Sequence, residues 1–273
     1  MNICFKKKIK LKKSLGQNFL VDIKIIEKIL KYVSPKMHDN FFEIGAGSGC
    51  LTKILHIYVK NMLVVEIDDN LYKLLKNYFF KKNVNIFNEN ILKFNFKKKL
   101  KNYFPVRVIG NLPYNISIEI IFYCVKFLKK IKDIYFMIQY EVAKKISANV
   151  GSKFYGKLSI FLQYYFKIKI LFKIGPRSFY PVPKVNSCFV KFVPTNKFFD
   201  NNLNIKHFKY IVSTAFSKRR KILKNSLSEI FNKNIFLKLN INSSLRAQNI
   251  TIIEYCKLTK YFSKNIFKNL YIN

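Results

Sequence analysis

Between residues 40 and 140 short apolar runs alternate with stretches of helical period. That order suits neither an all-helical nor an all-strand fold. Phe41 to Ile44 reads as an apolar strand that enters Gly45-Ala46-Gly47-Ser48-Gly49, and a helix follows with Leu51, Ile54, Leu55 and Tyr58 inward. Met62 to Ile67 reads as the next strand, after which Asp68 or Asp69 caps a helix to Phe80. Val84 to Phe87 and Val106 to Ile109 are two further strands. A helix over 117–128, a strand over 133–138 and a helix over 141–148 continue the alternation. Strands that alternate with helices imply a parallel sheet covered on both faces. The expected fold class is α/β, a Rossmann-like sheet with a small all-helical C-terminal domain.

Before this region, Asp22 can cap a helix over 23–33, whose Ile25, Ile26, Ile29, Leu30 and Val33 keep helical spacing. After residue 150 the pattern changes. A helix near 157–164 leads to β-rich stretches at 165–174 and 186–193, which read as a terminal antiparallel pair. From about 200 only helices are expected, over 205–217, 219–231 and 251–262. The reading is a basic arm at 1–13, a main domain at 14–198 and a helical domain at 199–273.

The net charge of +37 favours a polyanion partner, most simply nucleic acid. A/T-rich codons offer a competing explanation. They inflate Lys, and of 51 Lys and Arg residues only Arg107, Arg177, Arg219, Arg220 and Arg246 are arginine. Those five are therefore the cations to examine first. Cys4, Cys50, Cys124, Cys188 and Cys256 stand far apart, without a Cys-x-x-Cys pair, and are expected as reduced, mostly buried thiols. His38, His56 and His207 fall in no catalytic or metal-binding spacing, so no metal is expected. No apolar run of about 18 residues and no signal-peptide pattern is present, so the expectation is a cytosolic protein with no membrane partner.

Glycines in Glu43-Ile44-Gly45-Ala46-Gly47-Ser48-Gly49 allow a tight turn and close approach of a ligand to the backbone. Dinucleotide-binding proteins use similar turns, usually as Gly-x-Gly-x-x-Gly. Here the spacing is Gly-x-Gly-x-Gly and Glu43 precedes it, which favours S-adenosylmethionine. Glu66 ends the second strand, where a carboxylate can accept both ribose hydroxyls of an adenosyl group. A purely structural capping role is the alternative for Glu66. Asn90, at the end of the third strand, is placed to touch the adenine ring of the cofactor.

The fourth strand runs into Asn111-Leu112-Pro113-Tyr114. An exocyclic amine on a base is a poor nucleophile because its lone pair is delocalised into the ring. The Asn111 side-chain oxygen and the Leu112 carbonyl can accept from such an amine and localise that pair. Pro113 fixes the turn, and the Tyr114 ring can stack on an extruded base. Taken alone, the tetrapeptide also fits an ordinary strand-to-turn exit.

With these motifs together, the chain resembles the ribosomal RNA adenine dimethyltransferases, from Ser14 to about Phe262, and most nearly their small-subunit branch. Ser14-Leu15-Gly16-Gln17-Asn18-Phe19-Leu20 is similar to the family's cofactor lid, which implies contacts from Asn18 and Leu20. Gly45, Glu66 and Asn111 carry over as cofactor contacts in the same way. Gly151-Ser152-Lys153-Phe154-Tyr155-Gly156-Lys157-Leu158-Ser159 resembles a segment of the small-subunit enzymes that the large-subunit resistance enzymes lack. Phe179-Tyr180-Pro181-Val182-Pro183-Lys184-Val185 resembles the loop that holds the target base, which implies Phe179 stacking opposite Tyr114. Ala215-Phe216-Ser217-Lys218-Arg219-Arg220-Lys221 and Arg246-Ala247-Gln248-Asn249 look like the family's C-terminal segments. Asn90 departs from the family, which usually has Asp there.

The resemblance implies transfer of two methyl groups from S-adenosylmethionine to N6 of each of two adjacent adenosines near the 3′ end of small-subunit rRNA. It also implies the small ribosomal subunit as partner, with the chain acting as a monomer. Lys218, Arg219, Arg220 and Lys221 are read either as phosphate contacts or as a solvated helix face. Rival readings are a non-catalytic assembly checkpoint, a large-subunit methyltransferase and a dinucleotide oxidoreductase.

Overall fold

A computed structural model describes residues 12, 15–198, 203–218 and 220–266. The expected arm at 1–13 lies outside these residues apart from Lys12, as do Ser14 and Arg219. In chain order the strands are β1 (Phe19–Leu20), β2 (Asn40–Ile44), β3 (Asn61–Glu66), β4 (Val84–Asn88) and β5 (Val106–Asn111). They continue with β6 (Ile131–Gln139), β7 (Phe166–Ile174), β8 (Phe179–Tyr180) and β9 (Ser187–Pro194). One sheet has seven strands in the order β4-β3-β2-β5-β6-β9-β7. Pairings from β4 through to β6 are parallel, and β9 joins β6 antiparallel. The order runs outward in both directions from the β2–β5 pair, and ligands of such sheets bind outside the carboxyl ends of the strands at that reversal.

The chain divides into two compact units. One holds residues 1–143 and 168–194, the other 144–167 and 195–273. The boundary expected at 198 therefore shifts, because the helix Lys157–Tyr165 contributes Ile160 and Tyr164 to the core of the helical unit. In that unit the segment at 151–159 meets the one at 246–249, since Gly151 N–H donates to the Gln248 carbonyl at 2.8 Å.

In the first unit the inner strands are apolar because both faces are covered, as parallel sheets require. Phe41, Phe42, Leu63, Val64, Val108 and Ile109 have no exposed surface. The helix Ile23–Val33 starts at Asp22, whose carboxylate accepts from the N–H groups of Lys24 and Ile25, and it buries Ile26, Ile29 and Val33. Strand β5 passes close to β2 at Gly110, where a Cβ would stand 2.5 Å from the Ile44 carbonyl oxygen. A bare backbone there lets Asn111 emerge beside the glycine turn.

Arg107 is not a surface cation. It is 5% exposed and forms a bidentate pair with Asp133, Nε to Oδ1 at 2.8 Å and Nη2 to Oδ2 at 3.0 Å. Nη1 pairs with Asp39 at 2.8 Å, and Nη2 also reaches the Val33 carbonyl and the Tyr135 hydroxyl. The expected helix over 219–231 shrinks to Leu223–Ser226, because Ile222 bridges to Arg246 and the N–H of Leu223 bonds to the Leu245 carbonyl. Cys124 and Cys188 are free and buried. Among the described residues no helix is long and apolar enough to cross a membrane, and no cluster of His, Cys, Asp or Glu could hold a metal ion.

Candidate active site

A cavity of about 290 Å³ opens where β2, β3, β4 and β5 end. Its wall takes in Asn18, Leu20, Gly45, Glu66, Asn90, Asn111, Leu112 and Pro113, so eight of the expected site residues meet there. Gly47 lies at φ +58°, and a Cβ on it would come within 2.8 Å of the Phe19 ring. Only glycine lets that ring lie directly on the turn.

Glu66 is 4% exposed. Its Oε2 accepts the Gly47 N–H at 2.9 Å and its Oε1 the Asp68 N–H at 3.0 Å. Burial raises its pKa, and those two backbone donors oppose the shift. A carboxylate has about four acceptor positions, so two stay available for a diol. Behind it, burial pushes Glu43 up to about 8, against a hydrogen bond from Thr52. Burial thus works against the charged form of both carboxyls, opposed at Glu66 by backbone donors and at Glu43 by Thr52.

The lid over the cavity is tied at several points. Gln17 Nε2 donates to Asp68 at 3.1 Å, and Lys12 Nζ pairs with the same carboxylate at 3.2 Å. Strand β1 pairs antiparallel with β8, Phe19 opposite Tyr180 and Leu20 opposite Phe179. Asn111 Nδ2 donates to the Asn18 carbonyl at 2.5 Å. That bond fixes which way the amide faces and leaves Oδ1 as the acceptor. Leu112 is 2% exposed, and its N–H is held by the Met137 carbonyl at 3.2 Å.

A family model described as "Ribosomal RNA adenine dimethylase" matches residues 8–264. The chain belongs to this family. A relative from Buchnera aphidicola subsp. Baizongia pistaciae, named "Ribosomal RNA small subunit methyltransferase A", is 47% identical over 255 residues, covering 91% of this chain and 95% of its own. A dimethyladenosine transferase from Plasmodium falciparum has a TM-score of 0.78 at 24% identity, covering 89% of this chain and 96% of that one. The 23S rRNA methyltransferase ErmE has a TM-score of 0.72 at 20% identity, with coverages of 90% and 100%. Those two likenesses bear on the fold alone.

For a member of the dimethylase family, one of the two expected aromatic positions, Phe179, differs from expectation. The cavity wall runs through Pro113 and resumes at Asn115, leaving Tyr114 outside it. The half-buried Tyr114 hydrogen-bonds Ser187 Oγ through its hydroxyl at 2.6 Å. Phe179 is 1% exposed and sits in the apolar core with Leu20 and Phe189, so its ring presents no free face to a base. The reason is strand parity: Phe179 pairs with the buried Leu20. Asn90 lines the cavity, and its Oδ1 caps the next turn by accepting the Leu92 N–H at 2.9 Å. Glu89, beside it in the cavity wall, is ion-paired to Lys99. Sequence reasoning passed over Gln17, Asp68, Ile67 and Ile91. Ile67 and Ile91 follow Glu66 and Asn90 directly and line the cavity with apolar surface.

Lys218, Arg220 and Lys221 are exposed in the turn that precedes Leu223–Ser226, not at a helix start. Arg246, also exposed, joins that turn through its bridge with Ile222. Lys218 approaches Glu229 at 3.8 Å, an exposed pair of little energetic weight.

Glu66→Gln is expected to weaken S-adenosylmethionine binding about 10- to 100-fold, the weight of a hydrogen bond to a charged group. Either orientation of the amide would set its NH₂ against one of the two backbone N–H groups. Titration calorimetry on the folded variant checks this; unchanged affinity would leave Glu66 a structural cap only.

Proposed function

We propose that this chain binds S-adenosylmethionine and dimethylates N6 of two adjacent adenosines near the 3′ end of small-subunit rRNA, during small-subunit biogenesis in the cytoplasm. The observation that carries this reading is the Asn111 amide, turned by the Asn18 carbonyl so that Oδ1 is the acceptor beside the Leu112 backbone. Family membership and the 47% identical relative support the choice of rRNA and of the small subunit.

The residues present fit the cofactor. Glu66 keeps two acceptor positions for the ribose hydroxyls, Gly45 and Gly47 let the ligand approach the turn, and Asn90, Ile67 and Ile91 surround the place for an adenine ring. Asn18 and Leu20 close it from the lid side. S-adenosylmethionine supplies an electrophilic methyl group on a sulfonium. The oxygens of Asn111 and Leu112 accept from the adenine N6 amine, localise its lone pair and stabilise the positive charge that develops on nitrogen. Holding that nitrogen in line with the methyl group provides much of the rate. The surplus proton leaves to water, so the chemistry needs neither histidine nor a second carboxylate. In the second round the monomethylated amine has one N–H left and engages one acceptor. Tyr114, whose hydroxyl hydrogen-bonds Ser187, is the ring proposed to stack on the extruded base.

Labelled S-adenosylmethionine offered with under-methylated small subunits and, separately, large subunits tests the proposal. Dimethyladenosine in small-subunit RNA alone, identified by mass spectrometry, is expected. Binding to small subunits without transfer would instead favour an assembly checkpoint.

Lys218, Arg220 and Lys221, with Arg246 and the undescribed Arg219, are the proposed phosphate contacts. Arg220→Gln combined with Lys221→Gln should flatten the slope of log affinity against log salt by roughly 1–2. A slope equal to wild type would make this turn a solvated surface. The chain is proposed to act as a monomer.

A further inference from the structure

We infer that Tyr180, and not its neighbour Phe179, is the aromatic that stacks on substrate RNA at the rim of the cavity, against the nucleobase next to the one extruded. The inference rests on the proposed RNA methylation.

Residues directly opposite in an antiparallel ladder share a face, and successive residues alternate between faces. The β1–β8 register pairs Leu20 with Phe179 and Phe19 with Tyr180. The first pair is the core face, with Leu20 3% and Phe179 1% exposed. The second is the cavity face, since Phe19 lines the cavity and its ring lies over Gly47. Tyr180 therefore stands on the cavity side, yet it is 52% exposed and is not part of the cavity wall. A large ring left half in water on the cavity side of this ladder offers a platform for a base, because every base has a π-face.

The surroundings point to RNA. Arg177 and Lys184 are exposed on either side of Tyr180, and the chain has a net charge of +37. Val182 and Val185 are exposed in the same loop at 61% and 40%. That loop leads into Ser187, which holds the Tyr114 hydroxyl. One short segment thus carries Tyr180 and anchors the aromatic proposed for the target base. Phe179, locked in the core beneath, supports the platform.

The experiment uses the full chain with Tyr180→Ala, Tyr180→Phe and Phe179→Leu. With under-methylated small subunits, Tyr180→Ala should raise KM roughly 10-fold, from lost stacking. Tyr180→Phe should stay near wild type, and S-adenosylmethionine affinity and the salt slope of RNA binding should not move. Phe179→Leu should lower the melting temperature with KM near wild type. An adenosine-rich single-stranded RNA carrying 2-aminopurine gives a readout independent of turnover. Its fluorescence should be quenched by wild type and by Tyr180→Phe, and distinctly less by Tyr180→Ala. KM and quenching both within twofold of wild type in Tyr180→Ala would overturn the inference, as would a rise in KM confined to Phe179→Leu. A wild type that transfers no methyl group but loses quenching on Tyr180→Ala would keep the platform and remove the methylation reading.

Discussion

Asn111→Ala is expected to lower methyl transfer by about two to three orders of magnitude while S-adenosylmethionine affinity stays within a few-fold of wild type. The size follows from removing one preorganised partner of the charge that forms in the transition state. The geometry explains why the group is preorganised. Asn111 leaves the end of a buried strand, and its Nδ2 is already committed to the Asn18 carbonyl at 2.5 Å. The amide need not turn when the base arrives. Asn111→Asp separates acceptor from orientation. It keeps two acceptors but sets a carboxylate oxygen against the Asn18 carbonyl, where a donor belongs, so it should recover little of the loss. Single-turnover rates with saturating cofactor measure both variants. If Asn111→Ala turned over at the wild-type rate, the assignment of the methyl-transfer site would fall.

The parts of this site that could be read in the sequence are those set by local pattern. Phe41 to Ile44 and Val106 to Ile109 are buried on both faces and apolar apart from Glu43 and Arg107, and each leads into a turn that lines the cavity. The order of glycines and the acid at Glu66 needed no tertiary knowledge. What could not be read depends on partners far away in the chain. Strand β1 has two residues and pairs with β8 some 160 residues later, so no periodicity announces it. The parity of Phe179 and Tyr180 hangs on that register, since two adjacent aromatics look alike in sequence and a strand must send one to each side. Lys12 and Gln17 reach Asp68 across more than fifty residues. The run of cations at 218–221 suggested a helix start, yet Lys221 N–H closes a turn on the Lys218 carbonyl and the extended Ile222 bridges to Arg246, so the helix begins only at Leu223. Arg107 shows the limit of reading charge from composition. One of five arginines in a chain of 51 basic residues is spent on the interior.

Arg107→Leu is expected to destabilise the first unit by about 3–5 kcal/mol, the usual effect of removing one partner from a buried ion pair. The loss arises less from the missing attraction than from what stays behind. Asp39 is 4% and Asp133 6% exposed, and the remaining cations reach them from partly exposed positions, Lys132 at 3.1 Å and Lys191 at 3.8 Å. The melting temperature should fall by an amount on the order of 10 °C. Arg107→Lys should rescue little, because an ammonium cannot hold Asp133 by two parallel bonds and reach Asp39 as well. Acid should shrink the effect. Burial alone would raise the pKa of Asp39, but the Arg107 guanidinium, the Lys36 N–H and Lys132 together outweigh it and hold the carboxyl below its usual value. A group with a depressed folded pKa contributes stability above its unfolded pKa and loses it as pH falls through the folded value. Most of that contribution is already missing in Arg107→Leu. The gap between wild type and variant should therefore be widest near neutral pH and narrow below about pH 4, the range of an ordinary aspartate. Thermal melts of both proteins across that range decide the matter. A gap of the same size at both ends would assign the loss to packing around the new leucine instead of to stranded carboxylates.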